Sequence, residues 1–445
     1  MTATVKQSVA GAPTSAQFQV VSALTGATSV RLKVGTDAAL TQNVQFAAAQ
    51  APDSLGYVRH TAAGLTAATQ YFYRLADNPG GGETLIGPVG MCRTLPPSGS
   101  PQSFRVALVS CVTQNAADPS AMNDWVAWAP DLAIFTGDQN YSGTVSTSTS
   151  TQVGVYETQI AGSGSGDGTA AAAGYGSSYA MMHGRAWGYY CRSDHEAGAD
   201  NGDSNNAWTA TNIAAAQQVF PFGTLGDTAA TPRGLYQAWT VGRVRFIMID
   251  VRNLDRSPGA NTDNSSKTML GATQLAWLQN QLLQPEPLKI IIGDVQWQGD
   301  PTTFLLTNGP DKWWSYTTER SAILAFIAAN AARVGSLMFW HGDCHALASS
   351  TAVQNTWGGF PVYCAAPMHN TGGGLDLGSF GQSWNNTGGS VRGYGRITIT
   401  DDGHTITSQF AGWDAVGQVA RITQTDTFTC PLAARSPAGL MASFP

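Results

Sequence analysis

The stretch Leu132-Ala133-Ile134-Phe135-Thr136-Gly137-Asp138-Gln139-Asn140-Tyr141 decides how this chain is read. Four apolar residues in a row, closed by a Gly-Asp pair, have the pattern of a buried strand that ends in a tight loop. Ligands collect at the carboxyl ends of such strands in open α/β sheets. The loop offers a carboxylate, Asp138, and a phenol, Tyr141, close enough in sequence to turn to the same side. Together they can hold a hard, highly charged cation. A Gly-Asp turn with a tyrosine packed behind it is the plainer alternative. The pentapeptide 137–141 does not choose between them, so the other strand ends must.

The same pattern recurs along the chain. Residues 104–110 form a buried-strand run ending at Cys111, and Trp187-Gly188-Tyr189-Tyr190-Cys191 leads into Asp194-His195-Glu196. Residues 336–340 run into His341-Gly342-Asp343-Cys344-His345. Residues 244–250 and 288–292 are further strands, followed by Val251-Arg252 and by Gly293-Asp294. Helices are expected over 274–283, where Leu275, Leu278 and Leu282 keep helical spacing, and over 321–332. Strand-ending loops that carry Cys111, Asp138 with Tyr141, Asp194 with His195, and Asp343 with His345 are hard to assemble by accident. They point to a metal-centred site. Thiolate, phenolate and carboxylate are all anionic and suit a trivalent iron better than a lone zinc. Aspartates at a second position suit calcium, magnesium or manganese.

Composition sets the frame. A chain of 445 residues, 43% of them hydrophobic, can hold two or three domains with a sizeable core. With 12% charged residues and 50 glycines it suits β-rich structure with many turns better than a helical bundle. A net charge of −6 argues against general nucleic-acid binding. A small phosphate ester remains open as a partner, because metal ions supply positive charge locally. Residues 1–13 lack the apolar core of a secretory signal. The longest apolar region, 321–340, is broken by Asn330 and Arg333, so no membrane span is expected. The chain is then intracellular, or has lost a leader, or leaves the cell in a virus particle. Six cysteines are too few for a disulfide scaffold, and Cys92, Cys364 and Cys430 read as small buried hydrophobes.

Residues 1–97 read as a separate β module of short alternating strands. Leu65 followed by Gln70-Tyr71-Phe72-Tyr73-Arg74 resembles the final hairpin region of fibronectin type III-like domains. From residue 98 strands alternate with helices. At about 142–179 a Gly/Ser-rich insertion, expected to be a surface loop or flap, interrupts them. The tail from Gly393 reads as a hairpin about Asp402-Gly403.

In chain order, Ser110-Cys111, Gly137-Asp138-Gln139-Asn140-Tyr141, Asp194-His195-Glu196 and Phe246-Ile247-Met248-Ile249-Asp250-Val251-Arg252 resemble the motifs of the PhoD-like alkaline phosphatases and phosphodiesterases, within the metallophosphoesterase superfamily. So do Leu270-Gly271 with Gln274-Leu275-Ala276-Trp277-Leu278, and Gly342-Asp343-Cys344-His345. The resemblance spans nearly the whole chain. It implies an α/β four-layer core, two β-sheets packed face to face and flanked by helices, preceded by a fibronectin type III-like β-sandwich. It implies hydrolysis of phosphate diesters and monoesters at a cluster of Fe3+ and Ca2+, with Mn2+, Mg2+ or Zn2+ as substitutes. Carried over by position, Cys111, Asp138, Tyr141 and His345 would hold the iron. Asp138 would bridge to a second metal held also by Asp194 and Asp343, and His195 would face the substrate. Two positions depart from the family pattern: Ser193 stands where a second aspartate is usual, and Asp294 stands near an expected amide pair and competes for the second site.

Charge then frames the chemistry. A phosphoester repels hydroxide, and two cations remove that barrier while activating water. In-line attack by a metal-activated hydroxide is expected, with His195 stabilising the transition state or protonating the leaving oxygen. Arg252 has two roles open to it: a phosphate clamp, which its planar fork suits, or a salt bridge behind its strand. His341, Cys344 and Glu196 are expected to buttress the ligands. Trp313 and Trp314 would fill core or line the substrate mouth. Substrates would be small or polymeric phosphoesters such as cell-wall teichoic acid. That would place the protein outside the cell or facing its surface, alone, as an oligomer or as a virion component. The competing reading is a phage tail or other surface-adsorption module that keeps the fold with or without activity.

Overall fold

A computed structural model describes residues 3–77, 81–113, 120–139, 141–161, 168–185, 187–197, 201–202, 206–299, 310–373, 377–386 and 389–430. The strand Leu132–Phe135 is buried at every position and lies between two parallel neighbours, Phe104–Val109 and Gly188–Tyr190. An apolar run without polar alternation is what a strand covered on both faces requires. Its side chains divide by parity: Leu132 and Ile134 enter one core, Ala133 and Phe135 another. Val106 and Leu108 follow the first pair, Ala107 and Val109 the second.

A second sheet shows the same division. In its parallel strands Val244–Met248, Leu288–Ile292 and Ser336–His341, the residues Phe246, Met248, Ile290, Ile292, Met338 and Trp340 join the core that holds Leu132 and Ile134. Ile247, Ile291, Leu337 and Phe339 turn the other way, onto the helices Gly271–Leu282 and Thr317–Ala329. On the far side of the first sheet lie the helices Ser120–Trp128, Thr149–Ala161, Ser178–Arg185 and Thr209–Val219. The period-two alternation of strands thus generates four layers, helices outside and two facing sheets within.

The first sheet has nine strands. From one edge it runs Val419–Thr429, Thr405–Asp414, Gly393–Asp401, Phe104–Val109, Leu132–Phe135, Gly188–Tyr190, Thr4–Gly11, Gln17–Thr25 and Tyr57–Ala63. The C-terminal hairpin is present, paired across Asp401 and Ile406 and onward along its length. Three N-terminal strands therefore continue the core sheet across the boundary expected near residue 97. They also share a core with a separate four-stranded sheet, Phe18 and Val20 packing with Leu32, Tyr71, Tyr73 and Leu75. Leu65 joins that core, and the Tyr71 hydroxyl accepts from the Thr66 N–H at 2.9 Å. No helix among the described residues is long and apolar enough to cross a membrane.

The insertion at about 142–179 is more ordered than a flap. Helix Thr149–Ala161 buries Val153, Tyr156 and Ile160 on one face, and the Tyr156 hydroxyl donates to Asn212 Oδ1 at 2.9 Å. Small Ser, Thr, Gly and Ala residues surround those three anchors and dilute the helical period, which is why composition suggested a loop. The tract Gly162-Ser163-Gly164-Ser165-Gly166 and Asn140 lie outside the described residues.

Beneath the strand Leu132–Phe135, His183 stacks on Phe135 at 5.3 Å between ring centres and meets the edge of Tyr179 at 4.5 Å. Burial pushes its imidazole down to about 3. A depressed histidine stays neutral in the fold, while the unfolded chain takes up a proton below about 6.5. Stability present near neutrality is therefore lost as pH falls from about 6.5 toward 3, by an amount on the order of a few kcal/mol. Denaturant melts from pH 7 to 4 should show a shallower acid limb in His183→Phe than in wild type; parallel limbs would contradict this.

Candidate metal centre

Four backbones at the carboxyl edge of the sheets are held in the left-handed region: Cys111 at φ 55°, Asp138 at 56°, Asp343 at 64° and His345 at 49°. Non-glycine residues avoid this region, and such strain gathers where the surrounding structure must aim a side chain. All four were expected to bind metal. Gly137, at φ 86°, packs so tightly that an added Cβ would collide with the Ser193 backbone, which brings the Asp138 loop against the segment bearing Asp194.

The donors converge. Tyr141 Oη lies 2.9 Å from Asp138 Oδ2 and 3.0 Å from His345 Nε2, and Cys111 Sγ lies 3.3 Å from the same Asp138 oxygen. His345 Nδ1 sits 3.0 Å from the Thr371 carbonyl, to which it can donate, leaving the Nε2 lone pair toward the cluster. Ligand atoms of Cys111, Asp138 and His345 all lie within 4.8 Å of one another, and so do those of Asp138, Asp194 and His195. Asp138 belongs to both groups. His195 therefore stands among the donors as well as beside the reaction space, its ring 4.1 Å from that of Tyr141.

Charge explains why these groups need a cation. Burial, then the fields of Asp194, Glu196 and Asp343, push the Asp138 carboxyl well above the ordinary range. Burial followed by Asp138 raises Tyr141 and Cys111 in the same way. Without a cation the Tyr141 hydroxyl and the Cys111 thiol donate to Asp138 Oδ2, and a metal of high charge could replace those protons and let the donors ionise together. The set of thiol, phenol, carboxyl and imidazole fits such an ion.

The far side of Asp138 differs from expectation. Asp194 accepts the His195 N–H at 2.9 Å and the Asn201 N–H at 2.9 Å. Burial works against its ionisation, but Arg252 and Lys312 hold it below the usual carboxyl range. Asp343 is ion-paired with the ammonium of Lys312, a residue that sequence reasoning did not single out. Its neighbours Trp313 and Trp314 drew attention instead, and both are buried core. The one available signal was an Asp-Lys pair ahead of them.

Arg252 is not placed to clamp a phosphate. It is fully buried, its Nε 2.9 Å from Asp294 and its two terminal nitrogens 2.6 and 2.8 Å from Asp311. The salt bridge is the role the fold shows. Asp294 keeps Oδ1 without a hydrogen-bond partner, and burial raises its carboxyl to about 6 despite Arg252.

Glu196, expected behind the ligands, is there. It accepts from the backbone N–H groups of Asp138 and Ser193 at 2.8 Å each, and from that of Gln139. One carboxylate thus ties the Asp138 loop to the Asp194 loop. Cys344 lies behind its own loop, Sγ 3.2 Å from Gln296 Oε1 and 4.0 Å from His341 Nδ1.

Residues 191–370 match the family model of PhoD-like phosphatase. Among solved structures, one titled "Structure of PhoD" superposes at a TM-score of 0.71 with 17% identity, over 95% of this chain and 90% of that one. The purple acid phosphatase PPD1 from yellow lupin (Lupinus luteus) seeds superposes at 0.63 with 11% identity, over 98% of this chain and 77% of that one. No curated protein matches the chain. The fold is thus the one these two phosphatase structures share. The match over 191–370 and the shared fold together make the chain a phosphoric ester hydrolase, and they support hydrolysis that depends on metal. Cys111, Asp138 and Tyr141 precede the matched segment, and convergence on His345 joins them to it.

Removing the Glu196 carboxylate would leave three backbone N–H groups of the two loops without their acceptor. Glu196→Ala should lower metal affinity roughly 10–100-fold, as judged by competition with a chelator. Glu196→Gln, which retains one acceptor oxygen, should fall between. An unchanged affinity in Glu196→Ala would mean that the loops are held by other contacts.

Proposed function

We propose that this chain hydrolyses phosphate diesters and monoesters at a centre held by Cys111, Asp138, Tyr141 and His345, with Asp194 and His195 on its open side. The observation that carries this reading is the contact of Tyr141 Oη with both Asp138 Oδ2 and His345 Nε2, beside the thiol of Cys111. A bound cation there supplies Lewis-acid charge for the phosphoryl oxygens and lowers the pKa of water toward neutrality. The thiolate and phenolate favour Fe3+ at this position, with Mn2+, Mg2+ or Zn2+ as substitutes.

The chain's own groups do the rest. Asp138, shared by both donor groups, fixes the distance between the halves of the centre. His195 is half-buried and packs at a tilt against the ring of Tyr141, so its imidazole is oriented while still open to solvent. It is the group here suited to giving a proton to the leaving alkoxide. The two loops tied by Glu196 keep these side chains in register as charge builds on the phosphoryl oxygens. Polymeric surface phosphoesters such as teichoic acid are the proposed substrates, which would place the protein outside a cell or on a virion. An adsorption module that had lost activity would not need left-handed strain at Cys111, Asp138 and His345, and that observation favours the enzyme.

Hydrolysis of bis(p-nitrophenyl) phosphate and p-nitrophenyl phosphate tests the reading. Asp138→Asn should lower turnover at least about 100-fold and release metal. Tyr141→Phe should abolish any visible phenolate-to-iron absorption while leaving the fold intact. A metal-free wild type inert toward both esters would instead support the adsorption module.

A further inference from the structure

Sequence resemblance assigned Asp343 to a second metal, but the structure gives it a different counter-charge. Lys312 is 1% exposed, so its ammonium is built into the interior and does not reach in from the surface. It leads the turn Trp313–Ser315 and is anchored by two buried tryptophans that follow it. Its ammonium meets Asp311 Oδ2 at 2.9 Å and pairs with Asp343.

Around it acids and protein cations alternate. Arg252 joins Asp294 to Asp311, Arg256 also holds Asp311, and Lys312 joins Asp311 to Asp343. Asp194 sits in the fields of Arg252 and Lys312. Four carboxylates thus face three protein cations. Contrast the Cys111–Asp138–Tyr141–His345 group, where no lysine or arginine makes a contact among the described residues. One half of the centre lacks positive charge; the other already contains it.

We propose that Lys312 is the fixed counter-cation of Asp343, so that Asp343 is not a metal ligand and the protein itself fills the hard-cation place beyond Asp138. This rests on the hydrolase reading above. A divalent ion and a buried ammonium on one carboxylate repel each other, which weakens the site for the ion, and the ammonium is covalently tethered. Its charge does not exchange with the medium. The enzyme should therefore not need added calcium, unlike a centre that recruits a hard ion at Asp343. With the ammonium removed, Asp343 and the unpartnered Oδ1 of Asp294 would be free to take up such an ion.

The experiment counts metals by elemental analysis and calorimetric titration with Ca2+ and Mn2+ in wild type, Asp343→Asn and Lys312→Met. Asp343→Asn should retain the wild-type metal content, and wild-type turnover should be unchanged by a calcium chelator. Lys312→Met should bind one more equivalent of Ca2+ or Mn2+ per chain than wild type, and its turnover should become calcium-dependent. Loss of one bound ion in Asp343→Asn, or equal hard-cation binding by wild type and Lys312→Met, would overturn the proposal. If Lys312→Met does not fold, the Asp343→Asn count decides alone. Failure of the hydrolase reading would look different: Asp138→Asn would then leave metal content and turnover untouched.

Discussion

Too many acids meet at one edge of this fold for water to neutralise. Cys111, Asp138, Tyr141, Asp194, Asp294, Asp311 and Asp343 are gathered at or behind the carboxyl ends of the strands, and most are buried. Burial penalises each negative charge, and every neighbour adds to the penalty. The fold meets this constraint in two ways. On one side it places Arg252, Arg256 and Lys312 against the aspartates. On the other it gathers thiol, phenol, carboxyl and imidazole with no lysine or arginine in contact among the described residues. That asymmetry, more than any single ligand, gives the centre its direction.

The facing sheets make the gathering feasible. Their parity assigns alternate side chains to a shared central core and to the outer helices, so the strands end together at one edge. Loops leaving that edge need turn only once to bring their side chains together. The left-handed backbones at Cys111, Asp138, Asp343 and His345 are those turns. Their conformational cost, about 1–3 kcal/mol each, is offset by sheets that hold both ends of every loop.

Much of this was legible in the chain. Apolar runs closed by Cys111, Asp138 and Asp194 announced strand ends bearing donors, because a doubly buried strand leaves its period and its terminus in the sequence. His345 and Tyr141 lie just beyond such strand ends, and the fold brings them to 3.0 Å from one another. Lys312 could not, since a lysine reads as solvated surface until the structure shows which acids enclose it. Arg252 offered two roles that differ only in what faces its guanidinium, and Asp311 is distant in sequence. Helix Thr149–Ala161 was masked by small residues, its three anchors too sparse to set a period. Continuity of the core sheet into residues 4–63 was hidden too, because hydrogen bonding between strands leaves no trace in composition.

That continuity has a bearing on which backbone edge the sheet exposes. Gly188–Tyr190, the strand that feeds the Asp194 loop, is three residues long; its outer side is met by Gly11, by the Ala12 N–H at 2.9 Å and by the Gln237 amide, which donates to the Tyr190 carbonyl at 3.1 Å. The suture is glycine against glycine: a Cβ on Gly11 would strike Pro221 and the Gly188 carbonyl, and one on Gly188 the Ala133 carbonyl. Beyond it the N-terminal strands extend the sheet and carry its open edge outward to Tyr57–Ala63. Stripped of them, the catalytic half would present raw backbone beside its active loops, a template on which other chains could nucleate. The front module is thus a selvedge, the finished border that keeps the weave behind it from unravelling into aggregates.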